Sequence, residues 1–94
     1  MNKNIFTTIT LTDGRVLSVK ECLSGDIFRA QTAYSKYVEK TADDIGIVPF
    51  FLLEILLDNK NKRLQIEEIL NLSIDDFNSI HAVFDASMRK INLL

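Results

Sequence analysis

Hydrophobic and polar positions change their period along the chain. From Ile5 to Leu11, apolar and β-branched residues alternate with threonine, which is the two-residue period of a half-buried strand. Thr12-Asp13-Gly14 interrupts it as a turn, and Val16-Leu17-Ser18-Val19-Lys20 resumes it as a second strand. Two registers compete. A two-residue Asp13-Gly14 turn pairs Ile9 with Ser18 and Thr8 with Val19, mixing apolar with polar. A three-residue loop with left-handed Gly14 pairs Leu11 with Arg15 and Ile9 with Leu17. It sets Ile5, Ile9, Leu11, Leu17 and Val19 on one face, and Thr8, Thr10, Ser18 and Lys20 on the other. A one-residue slip turns a strand's apolar set outward, so the second register is predicted.

Beyond the hairpin the period lengthens to that of a helix. Ser24-Gly25-Asp26 supplies a cap in Ser24 or Asp26. Ile27, Ala30, Tyr34, Tyr37 and Val38 then form one apolar stripe, with Arg29, Lys36, Glu39 and Lys40 left for solvent. A second helix is expected from about 48 to 58, with Pro49 harmless in its first turn. A short helix at about 65–71 follows the polar loop 58–63. Ser73-Ile74-Asp75-Asp76 caps a last helix over about 74–91, striped by Ile74, Phe77, Ile80, Phe84, Met88 and Ile91. The predicted architecture is α+β: one domain over 1–94, with a hairpin at about 5–21 and a first helix at about 26–40. An isolated hairpin is marginal in water, so its greasy face must rest on the three or four helices.

Composition narrows the function without naming it. A 94-residue chain with 47% apolar and 26% charged residues has a globular balance and can bury a core. Thirteen acids against eleven bases leave a formal charge of −2, without the basic excess expected of a nucleic-acid binder. The lone Cys22 forms no intrachain disulfide and fits a reducing compartment. The N-terminal residues do not read as a signal peptide. The most apolar run, Ile47 to Leu57, has about half the ~20 residues needed to cross a bilayer. A soluble, cytoplasmic protein without a membrane partner is expected.

Candidate chemistry is sparse. His81 has no second histidine or nearby cysteine in sequence with which to build a metal site or triad. Nothing in the sequence places a base beside Cys22. The pairs Asp43-Asp44, Glu67-Glu68 and Asp75-Asp76 are neighbours that do not share a helix face, and two of them sit where helix starts are expected. The loop from Asp58 places Lys60 and Lys62 where a calcium site needs oxygen ligands. Lys60, Lys62 and Arg63 read as a solvated turn. The expectation is no enzyme, no cofactor, no metal and no nucleic-acid partner.

One element resists that plain account. Phe50, Phe51, Leu52, Leu53, Ile55, Leu56 and Leu57 cover nearly the whole circumference of the second helix, with Glu54 its single charge. A helix greasy all round is either central in the core or covered by a partner. The partner reading leaves Phe51 with Ile55, or Phe50 with Leu57, in an exposed protein-binding patch.

The order of signals resembles a known family. The segment Ile9-Thr10-Leu11-Thr12-Asp13-Gly14-Arg15-Val16-Leu17-Ser18-Val19 leads, and Gly25-Asp26 with Ala30 follows. The apolar helix at Phe50 to Leu57 comes next, and Leu64-Gln65-Ile66-Glu67-Glu68-Ile69-Leu70 runs into Leu72-Ser73-Ile74-Asp75-Asp76-Phe77. This is similar to the small tail assembly chaperones of long-tailed phages and prophages, the Mu-like and P2-like group. The likeness spans about residues 5 to 85, and the Asn59-Lys60-Asn61 loop departs from the glycine turn expected there. The resemblance implies a non-enzymatic protein that shields the apolar helices of a tape-measure protein, and a free form that self-associates. The competing readings are a small nucleic-acid-binding regulator and a structural component of the tail.

Overall fold

The hairpin closes in the register that the alternation favours. The computed structural model describes residues 5–60 and 62–92. Strands β1 (Ile5–Thr10) and β2 (Val16–Lys20) pair antiparallel, with Ile9 opposite Leu17 and Thr10 opposite Val16. The Leu11 N–H donates to the Arg15 carbonyl at 2.8 Å, and Gly14 takes φ +90°, a value glycine adopts without steric penalty. Ile9, Leu11, Leu17 and Val19 are all buried, while Thr8 and Thr10 face solvent. A bulge between Ile5 and Thr7 shifts the far end of β1. The side chain of Ile5 lies outside the described residues.

Helix α1 spans Ser24–Thr41, longer at both ends than the stripe predicts. Leu23 is its N-cap, and the cap bond comes from inside the helix. The Asp26 carboxylate reaches back to accept the Leu23 N–H at 2.9 Å, which satisfies one of the unpaired donors at the helix start. The helix ends at Ala42, a left-handed residue (φ +56°) whose N–H donates to the Val38 carbonyl at 2.8 Å.

The predicted helix at about 48–58 is shorter than its apolar run. Helix α2 is Val48–Ile55, and Leu56–Asp58 form a third strand, β3. Strand β3 pairs antiparallel with the outer edge of β2, with Val19 opposite Leu56, Ser18 opposite Leu57 and Leu17 opposite Asp58, giving the order β1-β2-β3. Without β3, one edge of β2 would leave backbone donors and acceptors unpaired under α2. Converting three residues to strand satisfies them, and Leu56 and Leu57 bury against opposite faces. The chain reverses just past β3, where the Asp58 carboxylate accepts the Lys60 N–H at 2.8 Å and Leu57 bridges to Arg63.

Helices α3 (Ile66–Leu70) and α4 (Ile74–Asn92) close the remaining side. One core joins the sheet to every helix except α1, through Leu17, Val19, Leu52, Ile55, Leu56, Leu64, Ile69, Ile80 and Phe84. Burying each of these large side chains stabilises the fold by roughly 1.5–3 kcal/mol. Helix α1 instead packs on α2, where Ala30 is buried and the rings of Tyr34 and Tyr37 lie 5.9 and 5.5 Å from that of Phe50.

The start of α4 departs from its predicted stripe. Ile74 is 73% exposed, and the residue turned inward is Asp76. Its carboxylate accepts the Thr12 N–H at 2.9 Å and the Thr12 hydroxyl at 3.0 Å, pinning the hairpin turn to the helix. Ser73 caps the same turn, accepting the Asp76 N–H at 3.1 Å. The side chains of Met88 and Ile91 lie outside the described residues.

Candidate interaction surface

The four residues expected to meet a partner do not form an exposed patch. Phe50, Ile55 and Leu57 are buried, and Leu57 belongs to β3 and not to the helix. Phe51 is half-buried, its ring 6.1 Å from that of Phe84 on the core side. The physical reason is coverage. Helix α2 packs against α1 and the shared core, which buries Phe50, Leu52 and Ile55 and leaves Val48, Pro49, Phe51, Leu53 and Glu54 half-buried, with no residue of the helix exposed.

The exposed large apolar side chains lie elsewhere: Leu23 and Phe28 at the start of α1, Leu70 at the end of α3, and Ile74 at the start of α4. Phe28 is 66% exposed. At 100° per residue it falls off the stripe of Ile27, Ala30, Tyr34, Tyr37 and Val38, and an aromatic placed off the stripe is the sequence signal that marks it. With Arg29, Thr32, Ala33 and Lys36 it lines an open groove of about 350 Å³ along the outer face of α1.

An ionic chain holds this face in place. Asp26, almost fully buried, is bonded by Lys20 from the end of β2 and by Arg29 at 2.6 Å. Arg29 continues to Glu54 on α2 at 3.2 Å, and Glu54 binds Arg63 at 2.5 Å. Burial alone would raise the Asp26 carboxyl, but the bonds from Lys20, the Leu23 N–H and Arg29 outweigh it and hold the group below the usual aspartate range. Arg63 is thereby committed to Glu54, so the basic cluster Lys60-Lys62-Arg63 is not three free cations.

A second groove, of about 320 Å³, opens at the other end of the hairpin between its turn and the α3–α4 corner. Asp13, Glu67, Glu68 and Asp76 line it together with Arg15, which pairs with Glu68 at 3.1 Å.

The residues with catalytic potential stay apart from both grooves. The Cys22 thiol is pushed up by burial and by the charge of Asp26, opposite to the shift that activates a nucleophile. His81 packs between Phe77 and Phe84, with Nδ1 3.4 Å from Asp85. Among the described residues no cluster of histidine, cysteine and carboxylates could hold a metal ion, and no helix is long and apolar enough to cross a membrane. No family model matches the chain, and neither a curated protein nor a solved structure matches it.

Proposed function

We propose that the chain is a non-enzymatic protein-binding factor, a tail assembly chaperone that shields apolar helices of a tape-measure protein. The observation that supports this is Phe28, a large aromatic left two-thirds exposed beside an open groove on a helix that is otherwise fixed in place. A solvent-facing aromatic on a rigid element is the usual anchor for a partner's apolar helix, and a shallow groove suits a segment that must later be released. The binding residues are therefore assigned to the α1 face, in place of the α2 patch.

The test uses the purified chain and the tape-measure protein encoded with it. Co-expression is expected to keep the tape-measure protein soluble, Phe28→Asp to abolish that, and finished tails to lack the chain. Persistence of the chain in finished tails would identify a structural component instead. An unchanged tape-measure protein would remove the reading altogether.

A further inference from the structure

Among the described residues, α1 lends no side chain to the core shared by the sheet, α2, α3 and α4, either within it or packed against it. Its seat is the separate aromatic contact of Tyr34 and Tyr37 with Phe50, which is buried yet lies outside that core. The ionic chain is divided in the same place. Arg29 to Glu54, at 3.2 Å, is the one ionic bond between α1 and α2 among the described residues, and Arg29 is mostly exposed, where such a pair is weak. If that link parts, no buried charge is stranded. Asp26 keeps Lys20, Arg29 and the Leu23 N–H, and Glu54 keeps Arg63. The large penalty for orphaning one member of a buried pair therefore does not arise. The connectors on either side, residues 21–23 and 42–47, hold neither helix nor strand.

We propose that α1 is a hinged cover over the Phe50 face of α2, an autoinhibitory contact that opens while the core stays folded. The bond from Lys20 on β2 to Asp26 is the pivot. The Arg29–Glu54 pair and the two tyrosine contacts with Phe50 are the catch. A helix of 18 residues is marginal in water without its seat, so α1 melts beyond the pivot as it lifts. Opening uncovers Phe50, an aromatic docking point for an apolar partner that the closed form withholds. The closed form is the majority state, in which α1 is fixed and Phe28 is presented. The device stands whether or not the chain serves a tape-measure protein.

The experiment is native-state hydrogen exchange on the chain alone, followed residue by residue in rising urea. The α1 amides, those of Ala30, Tyr34 and Val38 among them, are expected to exchange through one shared opening. The amides of Leu17, Val19 and Ile80 should exchange more slowly, only through global unfolding. Tyr37→Ala removes one ring from the seat without touching the core. It is expected to speed exchange in α1 roughly tenfold and to leave the core amides unchanged. The same variant should bind more of an apolar fluorescent dye than the wild type, because Phe50 is uncovered more often. If circular dichroism shows that Tyr37→Ala has lost its fold, Tyr34→Ala takes its place. Exchange of α1 in step with the core overturns the proposal. So does a variant that speeds both alike, or one that opens α1 with no gain in dye binding.

Discussion

Helices α1 and α2 lie against each other, yet they are built on opposite terms. Helix α2 has one charge in eight residues, and its large side chains are inside or half inside. Helix α1 is polar on balance and is joined to the rest of the molecule by two aromatic contacts, a buried alanine and an ionic chain, yet it carries the most exposed aromatic among the described residues. Mean apolarity therefore says little about which helix can meet a partner. What decides is how much of its circumference the fold covers. No residue of α2 is exposed, whereas more than half of those in α1 are.

The contrast can be broken most severely at Ile55. Ile55→Asp sets a carboxylate in a site 2% exposed within the apolar core cluster. A cost above about 4 kcal/mol is expected, most of the stability of a domain this small. Circular dichroism and dispersed amide resonances should both be lost. A folded Ile55→Asp would put this side of α2 at the surface after all.

The next largest effect is expected where α1 is tied down. Asp26→Asn leaves the mostly buried Lys20 without its counter-charge, and a loss of about 3 kcal/mol in urea unfolding is expected. The pH dependence follows from the direction of the Asp26 shift. The folded carboxyl lies below its unfolded value, so its stabilisation is complete above that value, about 3.9, and disappears as pH falls through the folded one. Wild type and variant should therefore differ most near neutral pH and converge in acid. A constant difference at every pH would mean that the carboxylate charge contributes nothing.

The smallest effect has the opposite sign. Ala42 ends α1 in the left-handed region, where a Cβ is unfavourable. Ala42→Gly is expected to stabilise by about 0.5 kcal/mol, because helix ends of this kind favour glycine. A fall in melting temperature would show that Ala42 makes contacts outweighing its strained backbone.

The features legible in the sequence are those that local physics decides. The hairpin register follows from alternation plus one glycine, and Ser73 is visible as a cap because caps act over three residues. The strand β3 is not legible in this way. Leu56 and Leu57 continue an apolar run, and period alone cannot separate the end of a buried helix from the start of a buried strand. The unpaired edge of β2, almost forty residues earlier in the chain, makes that choice. Ile74 misleads for a related reason: it fits the stripe of α4 but precedes the point where the helix meets the core. The inward place goes to Asp76, whose partner Thr12 is 64 residues away. The exposed side of α1 was also partly readable, since Phe28 falls off its stripe. What a linear pattern cannot give is how many sides of α2 the fold covers.

The joint between Thr12 and Asp76 also bears on how the protein comes into being on the ribosome. Synthesis delivers the hairpin first, when its greasy face has nothing to rest on and one edge of β2 is open. Leu56–Asp58 close that edge, but the turn finds its anchor only after Asp76 has emerged, and the core lacks Ile80 and Phe84 until later still. Contacts so distant in sequence carry a loop-closure entropy that only the assembled core offsets. A nascent chain halted at the α3–α4 turn would hold all three strands and three helices, yet it should digest like an unfolded one. The hairpin thus stays vulnerable from its own synthesis until the residues of α4 have emerged.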